Sequence, residues 1–197
     1  GLDLVRQLVG QVAQDPRLLA PVREAMVALE PSLARLAMHS PRFFGEADNP
    51  ARKLLEGVAQ RSFKYNDEFS TDFRDFFDGV TRCFNGLNRD DQLTDAQPFE
   101  RAIGELEHVW SAQDQEEEHE RQRVMEAVQF AEQRQAEADR IAYELSQRSD
   151  MEGAPAVVQD FIYGPWSLVI AHARLMKTGA DMDPGGYIRV TADLLWS

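Results

Sequence analysis

Between residues 98 and 150 the chain has no proline after Pro98 and no glycine after Gly104. Glu, Gln, Arg and Ala dominate the stretch, and these residues lose little on entering a helix. Asp95 or Thr94 is placed to cap it, with Pro98 in the first turn and Glu100 and Glu105 favourably set against the helix dipole. At ~1.5 Å per residue such a helix spans about 75–80 Å. A compact globule of this chain length is only about 40 Å across. The helix must therefore break, project, or join two packing centres.

The apolar residues of the stretch fall into two groups. Phe99, Ile103, Leu106, Val109 and Trp110 form one; Val124, Val128, Ala131, Ala138, Ile141 and Leu145 form the other. Residues 111–122 offer only Ala112 for burial and carry Asp114, Glu116, Glu117, Glu118 and Glu120. The candidate seam positions Gln113, Glu117 and Glu120 are polar, which argues against a sustained coiled coil. We expect a helix with two buried ends and a solvated acidic middle, in which Glu116, Glu117, Glu118 and Glu120 are candidate partner contacts.

The rest of the chain also reads as helices. Leu2, Val5, Leu8, Val9 and Val12 share a face over residues 2–14. Pro21 and Pro31 open two short helices, the second presenting Leu33, Leu36, Ala37 and Met38. Residues 42–45 (Arg-Phe-Phe-Gly) read as an apolar loop that needs cover. Asp48-Asn49-Pro50 predicts a helix start, with a capping side chain followed by proline at the first helical position. A further helix from about Asp67 to Leu87 carries Phe69, Phe73, Phe76, Phe77, Val80 and Phe84 as a core stripe. Past the long helix, a segment from Ala154-Pro155 carries Val157, Val158, Phe161 and Ile162 and must kink at Gly164-Pro165. Trp166 to Met176 continues it, Gly179 serves as C-cap, Gly185-Gly186 makes a turn, and Tyr187 to Trp196 is the last helix. No stretch alternates as a strand does. The fold class is all-α: helical bundles linked by one long, partly exposed helix. Residues 1–112 form the N-terminal bundle, 113–123 the exposed acidic segment, and 124–197 a C-terminal sub-bundle that reads as truncated.

Charge and composition narrow the functional classes. The formal net charge of −13 opposes nucleic-acid and anionic-membrane binding. No apolar run approaches the ~20 residues of a membrane span. A single cysteine, Cys83, excludes an internal disulfide and fits a cytoplasmic protein. The chain starts without Met and stops in mid-pattern, as a piece of a longer protein does.

Catalytic and metal patterns are weak. Glu105-x-x-His108 and Glu116-x-x-His119 match the spacing of di-iron bundles, but that chemistry takes such pairs from different helices. Here both lie on one helix, about 16 Å apart. Cys83 sits beside Phe84 on the aromatic helix, where a structural thiol is the ordinary outcome. No nucleophile elbow, phosphate loop or dinucleotide fingerprint is present. No catalytic residue, metal or cofactor is assigned. Arg52 and Lys53, just inside the helix capped by Asn49, are candidate contacts for a phosphate or a partner's carboxylate. A surface pairing with Asp48 or Glu56 is the simpler outcome. His172 and Arg174 lie in an apolar helix, so one of them must meet a polar neighbour, as a buried histidine or an interhelical ion pair.

Three blocks carry a family resemblance: Leu33-Ala34-Arg35-Leu36-Ala37 through Phe43-Phe44; Asn49-Pro50-Ala51-Arg52-Lys53-Leu54-Leu55; and Asp160-Phe161-Ile162-Tyr163-Gly164-Pro165-Trp166 leading to Ala171-His172-Ala173-Arg174-Leu175. In this order they resemble the central part of the bacterial DUF1631 family, large proteins of undefined function. The resemblance implies a longer parent protein whose C-terminal part is PilZ-like and linked to cyclic dinucleotides. That part lies outside these residues, so no ligand residue is carried over. Where the family often reads His-Pro-Ala-Arg, this chain has Asn49, which suits capping rather than histidine chemistry.

Two functions remain. The first is a non-catalytic, cytoplasmic helical scaffold or regulatory module that contacts protein partners and the rest of its own longer chain, with homodimerisation through the long helix. The second is a ligand-sensing or enzymatic domain using Arg52, Lys53, His172 and Arg174 as a basic pocket.

Overall fold

The computed structural model describes residues 1–40, 48–177 and 181–196. The apolar loop expected at residues 42–45 and the C-cap expected at Gly179 lie outside the described residues. The fold is all-α. In chain order the helices are α1 (Leu2–Ala13), α2 (Ala20–Val27), α3 (Glu30–His39), α4 (Pro50–Ser62), α5 (Thr71–Arg89), α6 (Gln97–Ser146), α7 (Ala156–Phe161), α8 (Ser167–Met176) and α9 (Tyr187–Trp196). The long helix is real and does not break. Asp95 caps its start by accepting the Gln97 N–H at 3.0 Å. It ends at Ser146, short of the expected Asp150, and a single 3₁₀ turn, Ser149–Met151, follows.

Two compact units divide the chain between Gln115 and Glu116, and each has its own core. In the first unit, Val5, Val22, Leu33, Leu36, Leu54, Val58, Phe73, Phe76, Val80, Phe84, Phe99, Leu106 and Trp110 are buried together. Fully burying each of the larger side chains stabilises by about 1.5–3 kcal/mol. The Phe-rich face of α5 meets α6 through Phe76 and Trp110, whose rings lie 6.0 Å apart. Gly57 of α4 makes close approach possible: a Cβ there would sit 3.0 Å from Ile103 Cδ1 of α6. Ser32 and Asn88 tie α3 to α5: Ser32 Oγ donates to Asn88 Oδ1, whose amide donates to the Ala28 carbonyl at 2.9 Å. Arg35 meets the Leu87 and Asn88 carbonyls at the end of α5, which the helix itself leaves unpaired.

Three expectations here shift. α5 starts at Thr71 rather than Asp67: Ser70 is the cap, accepting from the Phe73 N–H, while Asp67 shapes the preceding turn through the Phe69 N–H. Phe69 is therefore outside the helix and 79 % exposed, not part of the stripe. Met38 and Val109 are exposed too, because each lies off the stripe that its helix buries.

In the second unit, Ala138, Ile141 and Leu145 of α6 pack with Met151, Ile162, Ile170 and Ala171. The expected kink at Gly164-Pro165 is a π turn, Ile162–Trp166. Proline lacks an N–H and crowds the carbonyl four residues back, and the wider turn relieves both problems. Ser167 restores the ladder, its hydroxyl donating to the Ile162 carbonyl at 2.7 Å. Trp166 donates its indole N–H to Thr191 Oγ1 at 2.9 Å, and Thr191 donates in turn to the Tyr187 carbonyl. Gly185 and Gly186 hold φ of +88° and +71° in the turn before α9, a conformation that favours glycine. Trp196, at the end of α9, is 83 % exposed.

Candidate interaction surface

At the start of α4, Asn49 accepts the Ala51 N–H at 2.8 Å and the Arg52 N–H at 3.4 Å, so the cap is occupied by the chain itself. Lys53 pairs with Asp48 at 2.9 Å, and Arg52 pairs with Glu56 one turn on at 2.7 Å. Lys53 beside it holds the Asp48 carboxyl below the usual carboxylate range, first through the hydrogen bond and then through charge. These are the surface pairings that the sequence suggested as the simpler outcome.

His172 and Arg174 belong to the second unit and behave differently from each other. Arg174, half-buried with its side chain only 8 % exposed, makes an interhelical ion pair with Glu137 of α6 at 2.9 Å, while its Nε donates to the Met182 carbonyl. His172 is exposed, with its ring edge-on to Phe130 at 5.6 Å, so of the two expected outcomes the interhelical ion pair is the one found. Arg174 takes the polar neighbour that the apolar helix demands, which leaves His172 free to face water. Arg52 and Lys53 lie in the first unit, and His172 and Arg174 in the second.

The first unit also holds a groove of about 540 Å³ between α5 and α6, whose lining includes Phe76, Cys83, Trp110, Arg82, Arg101 and Glu105. Burial and then the Glu105 charge push the Cys83 thiol up to about 11. At neutral pH it stays protonated and is a poor nucleophile. Glu105 and His108 fall in the first unit and Glu116 and His119 in the second. Among the described residues no group of three or more His, Cys, Asp or Glu could hold a metal ion.

The middle of α6 is a long exposed feature. Arg61 donates to both oxygens of Asp114, at 2.7 and 2.9 Å, and Lys64 lies 3.4 Å from the same carboxylate. From residue 114 to residue 129 every side chain is exposed. Glu118 pairs with Arg121, and Glu116 and Glu120 both pair with Arg123. Such pairs on an open helix add a few tenths of a kcal/mol each and keep the segment helical without tertiary cover.

The exposed segment runs further than the expected residues 113–123. Val124 and Val128, expected in the second core, are 53 and 52 % exposed, and Ala131, expected there too, is exposed as well; Met125 beside them is 61 % exposed. The second core begins only at Ala138. The sequence pattern placed Val124, Val128 and Ala131 on one apolar face, but it could not say that the described residues of this unit leave that face exposed. Their signal was the sparse set of helices after α6, fewer than so long an apolar face needs.

Among the described residues no helix is long and apolar enough to cross a membrane. Residues 1–92 match the model of a family described as protein of unknown function (DUF1631), second domain. The first two resemblance blocks fall inside that match, and the third, over residues 160–175, lies beyond it. No curated protein and no solved structure matches the chain.

Proposed function

We propose that this chain, whose residues 1–92 match the model of the DUF1631 second domain, is a non-catalytic helical interaction module of a larger cytoplasmic bacterial protein. It acts as a scaffold or regulatory element by contacting other proteins. The observation that carries this reading is the open middle of α6, where an acidic helix displays Val124, Met125 and Val128 to solvent. A helix with no packing role over more than four turns is retained at a cost in exposed apolar surface, and contact with a partner removes that cost. Arg52, Lys53 and Arg174 already neutralise carboxylates of their own units. That supports protein contact over capture of a phosphate ligand by a basic pocket.

The test is affinity capture from a bacterial lysate with the full-length protein and with a Val124→Ser, Met125→Ser, Val128→Ser variant. These substitutions lie on exposed helix, so helicity measured by circular dichroism should be nearly unchanged. The reading predicts proteins retained by the native sequence and lost by the variant. Identical sets of captured proteins would contradict it.

A further inference from the structure

Glu117, Glu120, Val124, Val128 and Ala131 follow one another at three- and four-residue steps, and so share one face of α6. All five side chains are exposed. The face is ordered along its length, with carboxylates over its first turn and an apolar stripe over the next two. It covers about 21 Å of helix. Over residues 116–132 six acids stand against two arginines, Arg121 and Arg123, and both arginines are bound to acids of the same segment.

We infer that this face binds a basic amphipathic helix, one that sets Lys or Arg side chains against Glu117 and Glu120 and an apolar stripe against Val124, Val128 and Ala131. The inference rests on the interaction-module reading and specifies the partner's chemistry. A helical stripe at i, i+4 and i+7 is complementary to another helix, whose knobs fit between its side chains. The sign of the flanking charge selects the partner. Lipid headgroups and nucleic acids present phosphates, which the acidic end repels. A second copy of this chain would bring the same acids together if parallel, or set them against the partner's apolar stripe if antiparallel, and either arrangement weakens the pairing. A basic helix satisfies both parts of the face, its cations meeting a segment in which six acids outnumber two arginines and its apolar side removing the valines from water.

The test uses the purified full chain and a labelled helical peptide of Leu, Ala and Lys, with Leu at i, i+4 and i+7 and Lys on both flanks. Two controls accompany it: the same peptide with Glu replacing Lys, and a scramble of the Lys peptide that keeps its composition but destroys the stripe. Fluorescence anisotropy should detect the Lys peptide and neither control. Val124→Ser with Val128→Ser should weaken binding at least about tenfold. Glu117→Gln with Glu120→Gln should weaken it several-fold, and should remove most of the loss seen on raising the salt concentration. Equal binding of the scramble, or binding unchanged by the valine substitutions, would overturn the inference. So would sedimentation that shows a dimer abolished by the same valine substitutions together with no peptide binding, since the occupant would then be a second copy. Lysate partners that depend on Val124 and Val128 while the Lys peptide fails to bind would overturn the partner's chemistry and leave the interaction module standing.

Discussion

Arg61 on α4 holds Asp114 on α6 through two hydrogen bonds of 2.7 and 2.9 Å, with its guanidinium 5.8 Å from the Trp110 ring. The pair stands where α6 leaves the first core, since residues 115–129 beyond it are all exposed. The Arg61 guanidinium has two jobs: it lies over the Trp110 ring and it fixes a carboxylate. Arg61→Ala should therefore destabilise the first unit by about 1–2 kcal/mol, because packing is lost with the charge. Asp114→Asn should cost less, since Asp114 is largely in water and exposed pairs contribute little. Urea unfolding followed by tryptophan fluorescence checks both, and equal costs would show that the ion pair dominates.

Acid sensitivity follows from carboxylates held below their usual range. The side-chain hydrogen bond from Arg17, then its backbone N–H, lowers Asp15 to about 2, and Arg61 lowers Asp114. A depressed folded-state value means that the contribution to stability is present above the unfolded value near 4 and is lost as pH falls towards 2. Carboxyl chemical shifts should place the Asp15 midpoint near 2. A midpoint near 4 would show that the Arg17 contact does not persist in solution.

Much of this fold was legible, and the reasons differ by element. Asn49-Pro50 announced the start of α4 because a capping side chain and a fixed φ act locally. The length of α6 was legible because nothing in its sequence can stop a helix. Periodicity also showed which residues of α6 are apolar on one side. It could not show whether another element lies on that side, and so Val124 and Val128 read as core. Phe69 failed for a local reason, since Ser70 competes with Asp67 for the cap. Thr191 was invisible because its buried hydroxyl answers Trp166, twenty-five residues earlier.

That last contact carries its own test. Thr191→Val removes the acceptor of the Trp166 indole N–H and strands a donor at the edge of the second core. The expected cost is about 1–3 kcal/mol, on the scale of an unsatisfied buried polar group. Hydrogen exchange should rise in α9 and around the π turn and stay unchanged in α1–α5. A uniform rise in both units would contradict the division into two cores.

Cys83 offers a chemical check on the groove between α5 and α6. With its thiol pushed up to about 11, the thiolate fraction at pH 7.5 is about two orders of magnitude below that of free cysteine. Reaction with a disulfide reagent should be slower by a similar factor and should keep accelerating above pH 9. A rate matching free cysteine would show the thiol to be open to solvent.

Hydrogen exchange of the full-length protein, alone and with a partner captured through it, tests the central claim most directly. The account predicts new protection concentrated on α6 over residues 116–131, with the Val124→Ser, Val128→Ser variant showing none. Protection confined to other helices, with residues 116–131 exchanging as they do in the free protein, would contradict it.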